Sequence, residues 1–228
     1  YAILNKRIIN KHNKLAYGTK LNPTIISPLR SVVRNINNSN MDKLDGKLIT
    51  YKYKIIKTEE FSALDIVSDK YLNYEVDQLK RGMNCEQILH LKKGARVMCI
   101  ANIDMNGSQQ IVNGSQGIVE DIIGNIPFVR FKNGLGRLME YHSWMSEDIV
   151  GLGIQQIPLI LSWAITIHKS QGITLDAAII DAGDNIFEYG QTYVALSRVK
   201  SLDGLFLGSF NSMKIMTNPK VTAYYASL

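Results

Sequence analysis

The first clearly apolar stretch of the chain is "LNPTIISPLRSVVRNIN" (21–37), which two prolines divide. The run before Pro28 is rich in β-branched residues and predicts a short strand that ends near Ser27. Because proline is accepted in the first turn of a helix, the residues that follow Pro28 predict a helix. The apolar stripe of this helix would be formed by Val32, Val33 and Ile36.

Between about 91 and 142 the pattern changes to short β-rich runs separated by turn residues. These runs are "GARVMCIANI" (94–103), "VNGSQGIVEDII" (112–123) and "IPFVRFKNGLGRLMEY" (126–141). The pairs Asn113-Gly114 and Asn133-Gly134 predict tight hairpins of type I′, which require a positive φ at both central residues. Short strands with tight turns over about fifty residues predict a small closed β-barrel.

From residue 155 onward, longer apolar runs alternate with polar segments. The run "IPLILSWAITI" (157–167) predicts one buried strand, with a helix as the alternative. The runs "AAIIDA" (177–182) and "GLFLGSF" (204–210) predict a second and a third strand. Between the last two, "GQTYVALSRV" (190–199) predicts an amphipathic helix with an apolar stripe of Tyr193, Leu196 and Val199. This succession predicts an α/β layer.

The changes along the chain predict three regions. Residues 1–20 are polar and basic, and we expect a linker or the end of a preceding region. Residues 21–60 and 151–228 would form one α/β domain, and residues 61–150 a domain inserted into it, with the barrel at about 91–142.

Composition narrows the class of protein only a little. The formal net charge of +6 and the pI of about 9.2 are compatible with a polyanionic partner but are shared by many basic proteins. Two cysteines are too few for a disulfide scaffold and lack the spacing of metal ligands, which favours a reducing, intracellular compartment. No apolar run is long enough to span a membrane, and we expect no membrane partner. The chain opens on Tyr1, which indicates a piece of a longer protein.

The sequence lacks the usual phosphate-binding loop. A Gly-rich loop ending in Lys-Ser or Lys-Thr is absent, and Asp45-Gly46-Lys47-Leu48 has neither the upstream glycine nor the hydroxyl that would reach Mg²⁺. The run 177–181 ends in Asp181 as a Walker B strand does, but Ala182 follows in place of a second acidic residue. We therefore expect Asp181 to cap the next turn, and we expect that the chain cannot bind and cleave a nucleotide by itself.

The stretch "SWAITIHKSQGITLD" (162–176) gathers the most polar side chains between two apolar runs. A Ser-His nucleophile is disfavoured because no Gly-x-Ser-x-Gly turn is present, and a metal site because His168 has no second ligand at a suitable spacing. The remaining interpretation is a polar turn at the carboxyl end of a strand, where open α/β sheets bind ligands. Donors of this kind suit phosphate and sugar oxygens.

Four segments in this order resemble one helicase family. "WAITIHKSQGITLD" (163–176) is similar to motif V of the superfamily-one DNA helicases, and "GQTYVALSRVKSLDGL" (190–205) to their motif VI. "ISPLRSVVRNIN" (26–37) resembles motif IV of the PIF/RecD branch. "LKKGARVMCIANI" (91–103) and "VNGSQGIV" (112–119) resemble the segments in which this branch inserts a small Src-homology-3-type barrel into its second RecA-like domain.

The resemblance implies a fold class and roles for individual residues. The fold would be α/β, a RecA-like second motor domain of the P-loop NTPase type with an inserted Src-homology-3-like β-barrel. Arg198 would be the arginine finger that reaches the γ-phosphate and Arg30 a second phosphate sensor, while Gln191, Gln171 and Gly172 would lie near the nucleotide cleft and couple it to DNA. The DNA backbone would be contacted by Thr166, His168, Lys169 and Ser170.

The resemblance also implies a function for a longer parent protein. The parent would be an ATP-dependent 5′→3′ DNA helicase that uses ATP and Mg²⁺, and this chain, its C-terminal motor half, would be inactive alone. Expected partners are single-stranded DNA, forked duplex DNA and the N-terminal RecA-like domain that this chain lacks. Two alternatives remain: a non-catalytic nucleic-acid-binding module that uses the barrel, and the helicase half of a relaxase or recombination enzyme.

Overall fold

The computed structural model describes residues 2–8, 23–62, 68–82, 84–103, 105 and 110–227. The helices are α1 (Ala2–Asn5), α2 (Arg30–Asp42), α3 (Glu59–Ser62), α4 (Asp69–Gly82), α5 (Gln191–Leu196) and α6 (Pro219–Ala226). The strands are β1 (Thr24–Ser27), β2 (Ile49–Lys52), β3 (Lys54–Lys57), β4 (Ile88–Leu91), β5 (Arg96–Cys99), β6 (Gln116–Ile123), β7 (Ile126–Phe131), β8 (Gly136–Leu138), β9 (His142–Met145), β10 (Leu152–Gln156), β11 (Leu159–Leu161), β12 (Ala164–Thr166), β13 (Ala178–Ala182) and β14 (Leu205–Phe210). Most of the linker predicted at 1–20 lies outside the described residues.

The chain forms two compact units. The parallel-sheet unit comprises Tyr1–Asn40 with Ser162–Leu228, and the inserted unit comprises Met41–Leu161. These boundaries differ from the predicted ones at residues 60 and 150. The reason is that β2, β3, β10 and β11 all pair with strands of the inserted unit.

The parallel-sheet unit contains a four-stranded parallel sheet in the order β12-β1-β13-β14. The predicted strand and helix after residue 21 are confirmed: β1 ends at Ser27, α2 begins at Arg30, and the predicted stripe of α2 is half-buried. The single strand predicted over 157–167 is wrong. The run is divided at Ser162 and Trp163 into β11, which belongs to the inserted unit, and β12, which begins the parallel sheet.

The outer edge of β12 is covered by a side chain of α2. The amide of Asn37 donates from Nδ2 to the Ala164 carbonyl at 2.9 Å and accepts from the Ala164 N–H at 2.9 Å. Asn37 thus satisfies both backbone groups of one edge residue, as a neighbouring strand would. At the opposite edge, Ile8 forms a parallel bridge with Leu207 of β14, and the Leu207 N–H donates to the Arg7 carbonyl at 2.9 Å.

The start of β14 lies close to the start of β13 because residue 204 is a glycine. A Cβ atom at Gly204 would clash with the carbonyl oxygen of Asp176 and lie 2.9 Å from its carbonyl carbon. Since both neighbouring atoms belong to the backbone, they cannot move aside as a flexible side chain could. The predicted strand "GLFLGSF" is confirmed, and its glycine allows the approach.

The barrel of the inserted unit is a five-stranded antiparallel sheet in the order β11-β5-β6-β7-β8. Within the described strands, β11 and β8 end the sheet and do not pair with each other, so the prediction of a closed barrel is wrong and the hydrogen bonding is open there. Its interior is apolar, with fully buried Val97, Val119 and Val129. The Cys99 thiol is free and buried, and burial raises its pKa to about 11.

The two predicted turns of the barrel lie at the predicted positions, but the predicted turn type is wrong. Gly114 and Gly134 have φ values of 95° and 89°, whereas neither Asn113 nor Asn133 has a positive φ. The Gly134 N–H donates to the Phe131 carbonyl, which fits a turn followed by a left-handed glycine rather than a type I′ turn. The type I′ signature of two successive positive φ values occurs instead at Gly124 and Asn125, between β6 and β7.

A second group of elements completes the inserted unit. Strands β3, β10 and β9 form an antiparallel sheet, and β2 pairs with β4. Helix α4 packs on β10 through a small core of Val76, Ile149 and Leu152. All of the predicted site residues lie in the other unit, the parallel-sheet unit.

Candidate functional site

The polar turn follows β12 at the carboxyl edge of the parallel sheet. Strand β12 ends at Thr166, a single 3₁₀ turn spans His168–Ser170, and Gly172 has a φ of 74°. Thr166 Oγ1 accepts from the Lys169 N–H at 3.2 Å, and Ser170 Oγ donates to the Ile167 carbonyl at 2.7 Å. Both hydroxyls are buried and hold the turn together, so in this structure neither of them faces solvent.

The side chains that the turn presents to solvent belong to other residues. His168 and Gln171 are exposed, Lys169 is half-buried, and Gly172 lies at the exposed tip. His168 Nε2 lies 3.2 Å from Glu188 Oε2, and the two side chains are each about half-exposed. Of the four predicted DNA contacts, the geometry thus leaves His168 and Lys169 accessible to a ligand.

Arg198 is half-buried and folds back over the same turn. Its Nη1 donates to the carbonyls of Ser170 at 3.5 Å and Ile173 at 3.4 Å, and its Nε to the Val194 carbonyl at 2.9 Å. Its Nη2 donates to Ser197 Oγ at 2.7 Å. All of these acceptors are neutral oxygens, and among the described residues no carboxylate pairs with this guanidinium. A half-buried positive charge without a counter-ion favours an anionic ligand.

Helix α5 carries the residues that precede Arg198. Gly190 begins the helix with a φ of 74°, and Gln191 is buried with its Oε1 accepting from the N–H groups of Phe187 and Glu188. Gln191 Nε2 is buried and has no hydrogen-bond partner among the described residues. The predicted helix is confirmed, but its predicted face is wrong. Tyr193 is 75% exposed, and the buried positions are Gln191, Thr192 and Ala195.

Arg30 lies on the neighbouring strand–helix connection. It is the first residue of α2, three residues after Ser27, and Ser27 pairs in register with Thr166. The Ile167 N–H donates to the Ser27 carbonyl at 3.1 Å, which ties the two connections together. The guanidinium of Arg30 is exposed and, within the described ranges, has no hydrogen-bond or ion-pair partner.

Asp181, which the sequence predicted to cap a turn, does so at the end of β13. Its carboxylate accepts from the Gly183 N–H at 3.4 Å, from Asn185 Nδ2 at 3.0 Å and from Ser209 Oγ at 2.5 Å. Its oxygens are thus already engaged by neighbouring donors. In the part of the chain that the structure describes, no group of three or more His, Cys, Asp or Glu side chains could hold a metal ion.

Sequence reasoning missed two residues of the site. Glu188 pairs with His168, and Ser197 bonds the Arg198 guanidinium. The adjacency of Ser197 to Arg198 was a usable signal, because a hydroxyl beside an arginine can bond it locally. Nothing in the sequence pairs Glu188 with His168, since the two lie on different connections.

Three comparisons with known proteins agree with one another. A family model described as the 2B domain of the DNA helicase Pif1 matches residues 76–122. The ATP-dependent DNA helicase PIF1 of Xenopus laevis is 38% identical over 174 residues, which cover 74% of this chain and 26% of the relative. The crystal structure of Pif1 helicase from Candida albicans is 31% identical with a TM-score of 0.66, and the match covers 90% of this chain and 49% of that one. The crystal structure of Pif1 helicase from Bacteroides in complex with ADP-AlF3 and ssDNA is 27% identical with a TM-score of 0.60, covering 99% and 48%.

The matches extend over most of this chain but over only part of each relative. The chain spans about a quarter of the Xenopus laevis protein and about half of the two solved structures. The 2B match lies within the inserted unit, and the parallel sheet with its flanking helices agrees with the predicted RecA-like fold. Over most of its length the chain therefore matches proteins of the Pif1 helicase family.

Proposed function

We propose that the chain is the second motor domain of an ATP-dependent 5′→3′ DNA helicase, which translocates on single-stranded DNA and unwinds duplex DNA. The observation that carries this proposal is the position of Arg198. Its guanidinium has no counter-ion among the described residues, and it bonds two carbonyls of the polar turn. One side chain can therefore respond to a phosphate and to the turn at the same time.

Arg198 and Arg30 are the two groups of this unit that fit a triphosphate. A guanidinium without a counter-ion stabilises the negative charge that develops on a transferring phosphoryl group. ATP, held with Mg²⁺ by the remainder of the parent chain, supplies the free energy of hydrolysis. Gln191 keeps the start of α5 in place through the N–H groups of Phe187 and Glu188. On this account the chain alone does not hydrolyse ATP.

The polar turn is the proposed contact with the DNA backbone. His168, Lys169 and Gln171 offer donors at its surface, and phosphate contacts of this kind hold a strand without reading its sequence. Thr166 and Ser170 keep the turn in shape through their internal hydrogen bonds. Gly172 provides the left-handed conformation that ends it. Single-stranded and forked duplex DNA are the proposed partners of the parent.

The distribution of charge disfavours the barrel as the main contact with DNA. The inserted unit has 14 Lys and Arg against 15 Asp and Glu, a formal charge of −1. The parallel-sheet unit has 12 Lys and Arg against 5 Asp and Glu, a formal charge of +7, and residues 1–20 contribute five of these basic side chains and no acidic one. A binding module that relied on the barrel would have its excess of basic side chains in the inserted unit.

The proposed role of Arg198 is tested in the full-length parent. We expect Arg198→Ala to lower the DNA-stimulated kcat for ATP hydrolysis by about 10³-fold, because arginine fingers contribute on this order. Arg34→Ala is the matched control, since Arg34 is an exposed arginine on α2 outside the site. ATP hydrolysis near the wild-type rate in Arg198→Ala would show that the assignment of the finger is wrong.

A further inference from the structure

A carboxylate lies beside one of the accessible donors of the polar turn. His168 Nε2 lies 3.2 Å from Glu188 Oε2, and the two side chains are 53% and 54% exposed. The next residue of the turn is Lys169, and Arg198 donates to two carbonyls of the same segment. A negative charge among these cations repels a phosphate, so it works against the contact that the turn makes with a DNA backbone.

The pair also shows which nitrogen of the His168 ring carries a hydrogen. A carboxylate only accepts hydrogen bonds, so the nitrogen that faces Glu188 is the donor, Nε2–H, in the neutral and in the protonated ring alike. The oxygens of a DNA phosphate are also acceptors. One N–H points well at only one acceptor at a time. Glu188 and a DNA phosphate are therefore alternative partners of the same N–H group.

The backbone of Glu188 is held in place, whereas its side chain can turn away. The Glu188 N–H donates to Gln191 Oε1 at 3.3 Å, and the Glu188 carbonyl accepts from the Gln191 N–H at 3.4 Å. The carboxylate is half-exposed, and exposed side chains change rotamer within nanoseconds. A DNA strand can therefore displace the carboxylate from His168 without moving the start of α5.

We propose that Glu188 is an exchangeable partner of His168 that a DNA phosphate displaces. This inference rests on the proposed function, because it takes the polar turn as the contact with the DNA backbone. Without DNA, Glu188 orients the His168 ring and occupies its Nε2–H. When a strand binds, a phosphate oxygen accepts from this N–H and the carboxylate turns to solvent.

The exchange lowers the affinity of the turn for a strand and makes the contact easy to break. Binding costs the hydrogen bond between His168 and Glu188, and the bound phosphate keeps a negative charge nearby. When the phosphate leaves, the same carboxylate accepts from Nε2–H again, so release does not leave the donor unpaired. A protein that moves along a strand has to release each phosphate in turn, and Glu188 favours this release.

Binding of fluorescent oligo-dT to the full-length parent, without nucleotide and at about 0.15 M salt, tests the exchange. Glu188→Gln keeps the shape of the side chain and removes its charge. We expect it to lower the Kd roughly two- to fivefold, as the loss of one exposed ionic interaction predicts. Most of this change should appear as slower dissociation.

Asp203→Asn is the matched control for the change in net charge. Asp203 is an exposed carboxylate of the same unit, just before β14 and thus at the amino edge of the sheet, whereas the polar turn follows the carboxyl end of β12. At this salt concentration charges separated by more than about 8 Å are largely screened. We therefore expect Asp203→Asn to leave the Kd for oligo-dT nearly unchanged.

A double-mutant cycle separates exchange at His168 from general repulsion of DNA. In the His168→Ala background the contested N–H is gone, so Glu188→Gln should lower the Kd by a clearly smaller factor than in the wild type. Equal factors in both backgrounds would show that Glu188 only repels the strand. An unchanged or higher Kd for Glu188→Gln alone would show that the carboxylate does not compete. Either result overturns the proposal.

A failure of the proposed function gives a different result from a failure of the exchange. If the polar turn does not contact DNA, His168→Ala and Lys169→Ala both bind oligo-dT as tightly as the wild type, and the exchange is excluded with it. If only the exchange is wrong, these two variants bind more weakly than the wild type while Glu188→Gln shows no gain in affinity.

Discussion

At the scale of single residues, the site depends on how one positive charge is held. Arg198 is bonded to carbonyls of the polar turn and to the hydroxyl of Ser197, which itself donates to the Val194 carbonyl at 2.9 Å. The hydroxyl therefore links the guanidinium to its own helix. A movement of Arg198 toward a phosphate would break its bonds to Ser170 and Ile173, which gives a direct physical link between the phosphate and the turn.

We propose that Ser197 positions the guanidinium of Arg198, and we expect its removal to change the rate of ATP hydrolysis more than the binding of ATP. In the parent, we expect Ser197→Ala to lower kcat for ATP hydrolysis about three- to tenfold, as the loss of one hydrogen bond predicts. The KM for ATP should change little. Ser197→Thr keeps the hydroxyl and should restore most of the rate. A purely structural role is indicated instead if both variants lose activity in proportion to lost thermal stability.

At the scale of elements, the sequence predicted where strands and helices lie along the chain better than it predicted which face of a helix is buried. The strand ending at Ser27 and the helix after Pro28 were predictable because proline and β-branched residues act locally. The apolar stripe of α5 was not, because Tyr193 is exposed on a helix whose buried positions include Gln191 and Thr192. Helix α6 was missed, although Asn218-Pro219 is a start signal that could have found it.

Tertiary contacts explain the remaining differences. The apolar run 157–167 reads as one strand because both halves are buried, and only the pairing of β11 with β5 and of β12 with β1 separates them. Within the site, the resemblance was enough to propose Arg198 and the polar turn. The bond between them could not, because it joins atoms 25 to 28 residues apart.

The close approach of β13 and β14 at Gly204 gives a prediction about stability. We expect Gly204→Ala to lower the free energy of unfolding by roughly 1–3 kcal/mol, because the added Cβ meets backbone atoms of Asp176 that cannot turn aside. Urea unfolding of the chain measures this change. Gly82→Ala, at an exposed position with nothing within 4 Å of the new Cβ, should be nearly neutral. Equal effects of the two variants would mean that β13 and β14 separate easily.

At the scale of the whole molecule, the charge is divided unequally between the two units. The parent should therefore bind single-stranded DNA with an affinity that falls with salt, through contacts on the parallel-sheet unit. We expect Lys169→Ala to reduce the slope of log affinity against log salt by about 0.7, the value for one lost phosphate contact on a single strand. Lys52→Ala, an exposed lysine of the inserted unit, is the control. Equal slopes for wild type and Lys169→Ala would exclude a phosphate contact at this lysine.

The side-chain amide of Asn37 also affects the tendency of the chain to aggregate while it is being synthesised. An uncovered strand edge recruits other chains by pairing, and this is a common route to aggregation during synthesis. Because Asn37 already occupies both hydrogen-bonding groups of Ala164, a foreign strand would have to displace it and leave a buried amide unsatisfied. The bridge of Ile8 with Leu207 covers part of the opposite edge. Each edge of the sheet thus carries a local contact that hinders pairing with a foreign strand while the chain emerges and folds.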